Sequence, residues 1–373
     1  MTAKEVAIIG TRGYPSYYGG FETLVRRLAP YLADEGWAVS VYGRKGAIRA
    51  DDPNRDERVT SIVIPGVETK SLSTLTSGLT NCAHTAYEKP DVALVMNVAN
   101  GFFLPALRIR GVRTIVNVDG MEWEREKWGK AAKKVFHSGA KLTARFADEI
   151  ICDSVEIKRR WSVEFGRDGH FIPYGGDVSP FSDDAPEFRA GTYVLLVARF
   201  VPENTVAEFV KAAEDLSERH DVVIVGSSGY GGQLEQTVQS LAERSPRVHW
   251  LGHVSNDRRL FSLWKHAGAY FHGHSVGGTN PALVQAMACG APIVARDTVY
   301  NREVIGDAGL FVSPDANAIA TAIQLLLVDR QQQLTLGAAA VERAQEFYGW
   351  DEVCRKYVDA LTSLTTHGKG RDA

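Results

Sequence analysis

One stretch of the chain concentrates residue types that grip phosphates and sugars. It reads His272-Gly-His274-Ser275-Val-Gly277-Gly278-Thr279-Asn280-Pro281-Ala-Leu-Val-Gln285-Ala-Met. Asn280 is a good helix N-cap and Pro281 a good first helical residue. The backbone amides of Gly277, Gly278 and Thr279 would then form a cradle at the positive end of a helix. Gln285 lies four residues after Pro281, about one turn into that helix. Glycine turns capped in this way also occur without ligands, but two histidines and two glycines before a cap exceed what a turn needs. Asn301-Arg302-Glu303 follows the next strand and is expected to border the same site.

Upstream, Val197-Ala198-Arg199-Phe-Val-Pro202-Glu203-Asn204 ends another strand. An arginine there could take a diphosphate in bidentate fashion, with a structural ion pair as the competing reading. Near the N-terminus, Gly10-Thr-Arg-Gly-Tyr-Pro-Ser-Tyr-Tyr-Gly19-Gly20-Phe-Glu22 joins the first strand to the first helix. Adjacent glycines let backbone amides approach a phosphate or sugar. This is not the GxGxxG fingerprint, and no ribose-binding acid ends the second strand, which disfavours an NAD oxidoreductase.

After the fifth strand comes Val118-Asp119-Gly120-Met121-Glu122-Trp123-Glu-Arg125-Glu-Lys127-Trp128. Asp119, at the strand's C-terminal end, could orient or deprotonate an acceptor hydroxyl, or it could cap the following helix. Glu122 is the second carboxylate candidate, with a first-turn helix-dipole role as its alternative. From Lys127 to Arg145 there are six basic residues, Lys127, Lys130, Lys133, Lys134, Lys141 and Arg145, and no acidic one. Trp128, Ala132, Val135, Leu142 and Phe146 supply an apolar stripe interrupted by Gly139. Such a helix suits an anionic membrane surface, although a solvated charged face has the same composition.

Some chemistry has no residues to carry it. No Asp-x-Asp pair is present to hold a metal on a diphosphate, so backbone amides and cations must do so. Cys82, Cys152, Cys289 and Cys354 are far apart and lack zinc-like spacing, which reads as buried thiols in a reducing cytosol. No metal or cofactor is expected.

Short β-branched runs alternating with helical patterns position these residues, the signature of βαβ units and parallel sheets. Strands are expected at Val6–Thr11, Val39–Arg44, Thr60–Ile64, Val92–Asn97, Thr114–Asp119 and Glu149–Asp153. A second series covers Tyr193–Arg199, Val222–Gly226, Val248–Leu251, Ala269–His272 and Pro292–Ala295. The pattern over Phe21–Glu35 is helical, and Pro30 is expected to kink it or end its regular part. The domains read as 1–176, a linker over 177–191, a second domain over 192–348, and a C-terminal helix with a frayed tail over 349–373. Two doubly wound α/β domains would face an interdomain cleft, with ligands at the carboxyl ends of the strands.

The whole chain of 373 residues carries 42 Lys+Arg and 45 Asp+Glu, an ordinary globular composition. No apolar run reaches the ~18–20 residues of a membrane span, and MTAKEVAIIGTRG enters a strand without a signal-peptide core. The balance argues against a nucleic-acid binder. It conceals an asymmetry: residues 1–176 hold 25 basic and 21 acidic residues, and the remainder 17 and 24. A basic first domain is suited to an anionic surface and an acidic second one is not. The expectation is a cytoplasmic protein, peripheral on the inner face of the membrane.

The segments VARFVPEN, HGHSVGGTNPALVQAMACGAPIVARD, YNREVIGDAGLFV and IIGTRGYPSYYGGFETLVRRLAPYLADEGWAVSVYGR resemble a retaining GT-B glycosyltransferase of family 4. Most closely the chain is similar to the rhamnosyltransferase-type branch with a TRGxPxxYGGFE opening. The resemblance implies a nucleotide sugar held mainly by the second domain and a saccharide or lipid-linked saccharide acceptor held mainly by the first. It also implies that no metal is used, and that the last helix crosses back onto the first domain. On that likeness Gly19 and Gly20 approach the donor diphosphate and sugar, and Arg199 neutralises the diphosphate. Gly277, Gly278 and Thr279, with His274, Asn280, Asn204 and Gln285, complete the donor site. Asp119, with Glu122, stands on the acceptor side, and Lys127, Lys130, Lys133 and Lys134 face the membrane or acceptor.

Two departures matter. Asn204 stands near where many members have a lysine, and the family's E-x7-E pair falls on Gly277 and Gln285. Glutamine removes a carboxylate implied to bind the ribose, a loss of roughly 1 kcal/mol of charge assistance. The expected function is hexosyl transfer with dTDP-rhamnose as the first-choice donor, in cell-surface polysaccharide synthesis. A sugar-nucleotide epimerase or phosphorylase of similar architecture, and a non-catalytic nucleotide-sugar-binding subunit, are the alternatives.

Overall fold

A computed structural model describes residues 3–17, 19–49, 51–64, 73–177, 187–229 and 231–366. The chain divides into two compact units, Met1–Tyr174 with Trp350–Ala373, and Gly175–Gly349.

The first unit runs β1 (Glu5–Ile9), α1 (Gly20–Asp34), β2 (Ala38–Gly43), β3 (Thr60–Val63), α2 (Ser73–Glu88), β4 (Val92–Met96) and α3 (Leu104–Ile109). It continues with β5 (Arg113–Asn117), α4 (Lys130–Phe146), β6 (Glu149–Cys152), α5 (Val155–Phe165) and β7 (His170–Phe171). Its strands pair in parallel in the order β3-β2-β1-β4-β5-β6-β7. The central strand VALVM is buried on both faces, as a parallel strand covered by helices on each side must be.

The second unit contains β8 (Val194–Val197), α6 (Val206–Leu216), β9 (Val222–Val225), α7 (Gln233–Arg244), β10 (Val248–Gly252), α8 (Asp257–His266) and β11 (Ala269–His272). Then follow α9 (Pro281–Ala288), β12 (Ile293–Arg296), α10 (Val299–Ile305), β13 (Gly309–Val312), α11 (Ala316–Val328) and α12 (Arg330–Phe347). Its parallel order is β10-β9-β8-β11-β12-β13. The last helix, α13 (Trp350–Thr366), belongs to the first unit. There Trp350, Val353, Cys354, Tyr357, Ala360 and Leu361 join the core formed by β1, β4 and α1.

Each expected strand is present, its ends shifted by a residue or two. Two edge strands, β7 and β13, extend the sheets beyond the expected sets. Pro30 does not end α1, which continues to Asp34. At the expected linker, residues 178–186 lie outside the described residues. Beyond them Phe188 packs on the second-unit core and Gly191 donates to His266 O at 2.9 Å. The tail after His367 also lies outside the described residues.

Both sheets reverse their winding beside the first strand of the unit, between β1 and β4 and between β8 and β11. Open α/β sheets bind ligands at such switch points. The loops that follow β1, β8 and β11 carry the three glycine- and arginine-bearing motifs.

Candidate functional site

In the second unit the loops after β8 and β11 are tied into one piece. Thr205 Oγ1 donates to Gly273 O at 2.6 Å, and Ser275 gives both its N–H (2.9 Å) and its hydroxyl (3.0 Å) to Glu203 O. Gly273 packs so tightly on the Asn204 carbonyl that no side chain fits there. Asn204 Nδ2 donates to Arg199 O at 2.8 Å, while its Oδ1 lies 2.7 Å from His274 Nδ1. The Arg199 carbonyl can only accept, so the amide oxygen of Asn204 must face the ring. Neutral His274 therefore carries its proton on Nδ1. Asn301 Nδ2 donates to His274 O and Arg296 O, closing the network from β12.

Asn204 thus spans the two loops from near the place where many family members have a lysine. Arg199 stands two residues beyond β8 with an exposed side chain, and none of the described residues pairs with its guanidinium. Gly277 has φ +114°, a conformation that favours glycine, and Gly277, Gly278 and Thr279 are buried. Asn280 caps α9 by accepting from Ala282 N at 3.0 Å, with Pro281 at the first helical position. Gly277, Gly278 and Thr279 therefore lead directly into a capped helix start.

Gln285 does something else. Its Oε1 accepts from Asp177 N at 3.0 Å and its Nε2 donates to Asp177 O at 2.8 Å. The amide that the resemblance sets against a ribose instead pairs like a strand with the backbone of residue 177. The neighbouring Gly176 donates to Tyr348 O at 2.9 Å and bridges Gly349, so the outgoing and returning segments of the chain are joined. Arg302 pairs with Asp297 (2.6 Å) on the surface.

Buried His272, at the end of β11, meets Tyr270 Oη at 3.0 Å, and its Nε2 makes no hydrogen bond to the described residues. Burial lowers its pKa to about 3, so the ring is neutral. All four cysteines are buried free thiols, and burial pushes Cys82 and Cys354 up to about 12 and Cys289 to about 11. Among the described residues no group of His, Cys, Asp and Glu is placed to hold a metal ion.

In the first unit the carboxyl ends of β1 and β5 carry the motif residues. Gly19 is the N-cap of α1 with extended backbone, φ −168°, which any residue adopts. The backbone demand for glycine falls instead on Gly10 (φ +88°) and Gly13 (φ +120°), which pack against Met96 O and Ile48. Gly20 opens α1, and Glu22 reaches back to accept Arg12 N–H at 3.0 Å.

Asp119 does not cap a helix. The next helical turn, Glu122–Glu124, starts after Met121, and Asp119 itself has φ +55°. Its N–H donates to Asn117 Oδ1 at 2.9 Å, and Asn117 Nδ2 in turn donates to Tyr357 Oη at 2.7 Å on α13. Asn117 and Tyr357 were not expected at the site, yet they fix the turn that presents Asp119. The only trace in the sequence is the Asn-x-Asp spacing of an Asx turn.

Arg125 Nη2 lies 3.7 Å from Asp119 Oδ2, and Arg125 Nε pairs with Glu122. Trp128 Nε1 donates to Glu122 Oε2 at 2.9 Å. Buried Glu122 is thus held by two partners and organises the motif; it is no simple first-turn dipole residue.

Helix α4 also departs from expectation. Its buried face is Gly139, Ala140 and Thr143, where Gly139 meets the turn Val98–Phe103 so closely that a Cβ would strike Val98 O. The glycine that breaks the apolar stripe is the packing contact. Val135 is exposed, as are Lys130, Lys134, Lys141 and Arg145, while Lys133 and Lys127 are half-buried, Lys127 with its Nζ 4.9 Å from the Trp128 ring centre.

Residues 181–343 match the family described as Glycosyl transferases group 1, and residues 3–177 match a domain of unknown function, DUF1972. A phosphatidyl-myo-inositol mannosyltransferase of Mycolicibacterium smegmatis is 32% identical over 227 residues, 57% of this chain and 57% of that protein. The O-antigen chain mannosyltransferase B of Escherichia coli is 27% identical over 180 residues, 46% of each. The chain therefore spans about half the length of such curated relatives. Among solved structures, sucrose-phosphate synthase from Thermosynechococcus elongatus has a TM-score of 0.78 at 20% identity, covering 98% of this chain and 100% of that one. Anabaena HepE in complex with UDP-glucose has a TM-score of 0.71 at 16% identity over 96% and 99%. The fold is GT-B, and residues 181–343 are similar to the Glycosyl transferases group 1 family.

Proposed function

We propose that the protein is a glycosyltransferase that moves a hexose from a nucleoside diphosphate to a saccharide or lipid-linked saccharide, with retention of configuration. The observation that carries this reading is the capped helix start after Gly277–Thr279, with the Arg199 loop tied to His274 through Asn204, in a region similar to the Glycosyl transferases group 1 family. On this reading the Gly277–Thr279 amides and the Arg199 guanidinium meet the charge of a leaving diphosphate. Catalysis on this reading is charge stabilisation and alignment, with Asp119 orienting the acceptor.

Mannose is the first sugar to test, because both named relatives are mannosyltransferases. The dTDP-rhamnose implied by the opening motif becomes the second choice. Among the described residues no helix is long and apolar enough to cross a membrane. The exposed lysines and Val135 of α4 support surface contact with anionic lipid on this reading.

The test incubates purified protein with GDP-mannose, dTDP-rhamnose or UDP-glucose and candidate acceptors, reading nucleoside diphosphate release and product mass. Arg199→Ala should lower turnover at least about a hundredfold while leaving the fold intact, because the side chain is exposed. Wild-type turnover in that variant removes Arg199 from the mechanism. Epimerised nucleotide sugar without transfer would replace this reading with the epimerase.

A further inference from the structure

Arg296 is the last residue of β12, at the carboxyl edge of the second sheet, and its side chain crosses to the loop that follows β8. Its Nη1 donates to Thr205 Oγ1 at 3.1 Å, and the same hydroxyl donates to Gly273 O at 2.6 Å. Its backbone is held as well, because Asn301 Nδ2 donates to Arg296 O at 2.8 Å and to His274 O at 2.9 Å. The end of β12 is therefore tied both to the Arg199 loop and to the loop after β11.

What this guanidinium lacks is a counter-ion. It is half-buried, and its partner among the described residues is the neutral hydroxyl of Thr205. The acid beside it in sequence, Asp297, is taken by Arg302 through bonds of 2.6 Å and 2.7 Å. A guanidinium presents its N–H donors in a planar fork, and the Nε and Nη2 side of this one makes no bond to the described residues. Neither nitrogen is sealed from solvent. Drawing a cation partly out of water toward a group that cannot neutralise it is unfavourable, and an anion at the open side of the fork offsets that cost.

The surrounding bonds fix where such an anion lies. Asn204 Nδ2 reaches Arg199 O at 2.8 Å, so the loop from Arg199 to Thr205 closes on itself, and Arg296 is anchored at the closing residue. At the other end of that loop the Arg199 side chain is exposed and has no carboxylate partner among the described residues. Two guanidinium groups thus meet one short loop, and Asn204, next to the anchor, brings no charge of its own. A diphosphate carries more than one negative charge and offers oxygens to two forks at once.

We propose that Arg296 is a second diphosphate-binding residue, supplying from β12 the charge that Asn204 does not supply from the β8 loop. That the diphosphate belongs to a sugar donor rests on the glycosyl-transfer reading; the anion contact itself does not. Inorganic pyrophosphate, GDP, dTDP and UDP titrated calorimetrically into the full chain read the contact without any transfer reaction. Arg296→Gln keeps a donor for Thr205 but no charge, and should weaken pyrophosphate binding about tenfold or more. Arg296→Lys keeps the charge without the fork, and its affinity should fall between wild type and Arg296→Gln. Arg244→Gln, an exposed residue paired with Glu214 elsewhere in the unit, should leave the affinity unchanged.

Full pyrophosphate affinity in folded Arg296→Gln, with or without a lowered thermal midpoint, reduces Arg296 to a structural tie and overturns its role while the transfer reading stands. A wild type that binds pyrophosphate through Arg296 but none of the three nucleotides keeps the contact and removes the transfer reading. Failure of the wild type to bind any of the four overturns both. Should Arg296→Gln fail to fold, phenylglyoxal modification of the wild-type chain, mapped by peptide mass, decides. Saturating pyrophosphate should suppress modification at Arg296, and a rate there that pyrophosphate does not change overturns the contact.

Discussion

Replacing Gln285 with the glutamate that the family resemblance calls for is expected to damage this chain. The amide makes two bonds to one backbone residue, accepting from Asp177 N at 3.0 Å and donating to Asp177 O at 2.8 Å. A carboxylate keeps the first and turns the second into two facing acceptors, at a side chain that is only 9% exposed. Losing a hydrogen bond and leaving a buried carbonyl opposed costs about 1–3 kcal/mol. At roughly 2–4 °C per kcal/mol for a unit of this size, the melting temperature falls by about 2–12 °C.

The sign of the pH dependence is distinctive. Burial and the facing carbonyl raise the pKa of the introduced carboxyl group in the folded variant above its unfolded value, because the neutral acid can donate to Asp177 O. As pH rises the unfolded state loses its proton first, so the penalty is small in acid and grows until pH passes the folded pKa. Differential scanning calorimetry of Gln285→Glu and wild type from about pH 4.5 to about pH 9 should show a gap that widens and then levels. A gap that is absent, or constant with pH, would refute the pairing. Tighter nucleotide binding at unchanged stability would show that the side chain faces the nucleotide.

Three further outcomes follow from separate features. Tyr357→Phe leaves buried Asn117 Nδ2 without its acceptor, which should cost about 1–3 kcal/mol in urea unfolding and reduce transfer by loosening the Asp119 turn. The imidazole of His272 stays neutral to about pH 3 when folded but binds a proton near pH 6.5 when unfolded. Stability should therefore fall by about 1.4 kcal/mol per pH unit as pH drops below about 6.5, and His272→Gln should remove that part of the slope in urea midpoints at about pH 7.5 and pH 5. Lys130→Gln/Lys134→Gln should weaken retention on anionic vesicles at low salt, and equal retention would dismiss α4 as the contact.

Much of the fold was legible because parallel strands buried on both faces leave continuous apolar runs, such as Val92–Met96 and Val222–Val225. The strands that escaped lack that signal. His170–Phe171 is two residues long, and Gly309–Val312 is a half-buried edge. At the site, what was legible was local: Asn280 and Pro281 set a helix start through their own backbone chemistry. What was not legible depends on distant partners. Gln285 meets a backbone 108 residues away, and Asn117 meets a hydroxyl 240 residues away. Gly139 reads as a break in an amphipathic helix until the turn at residues 98–103 is laid against it. The donor sugar escaped for a different reason: glycines and amides grip a diphosphate alike whichever hexose it carries.

The placement of α13 has a consequence for the order of synthesis. The first unit begins at β1, yet six of its core side chains arrive only with residues 350–361, after the whole second unit has been made. On the ribosome the second unit can close as soon as its own chain emerges. The older unit, with β1, β4 and α1 already threaded, waits with an apolar face uncovered, the state in which nascent chains are most exposed to aggregation and chaperone capture. Tyr357 arrives in that last segment too, so the turn at Asp119 gains its final support only once the second unit has been translated. Maturation of the Asp119 turn is thereby timed to follow completion of the second unit.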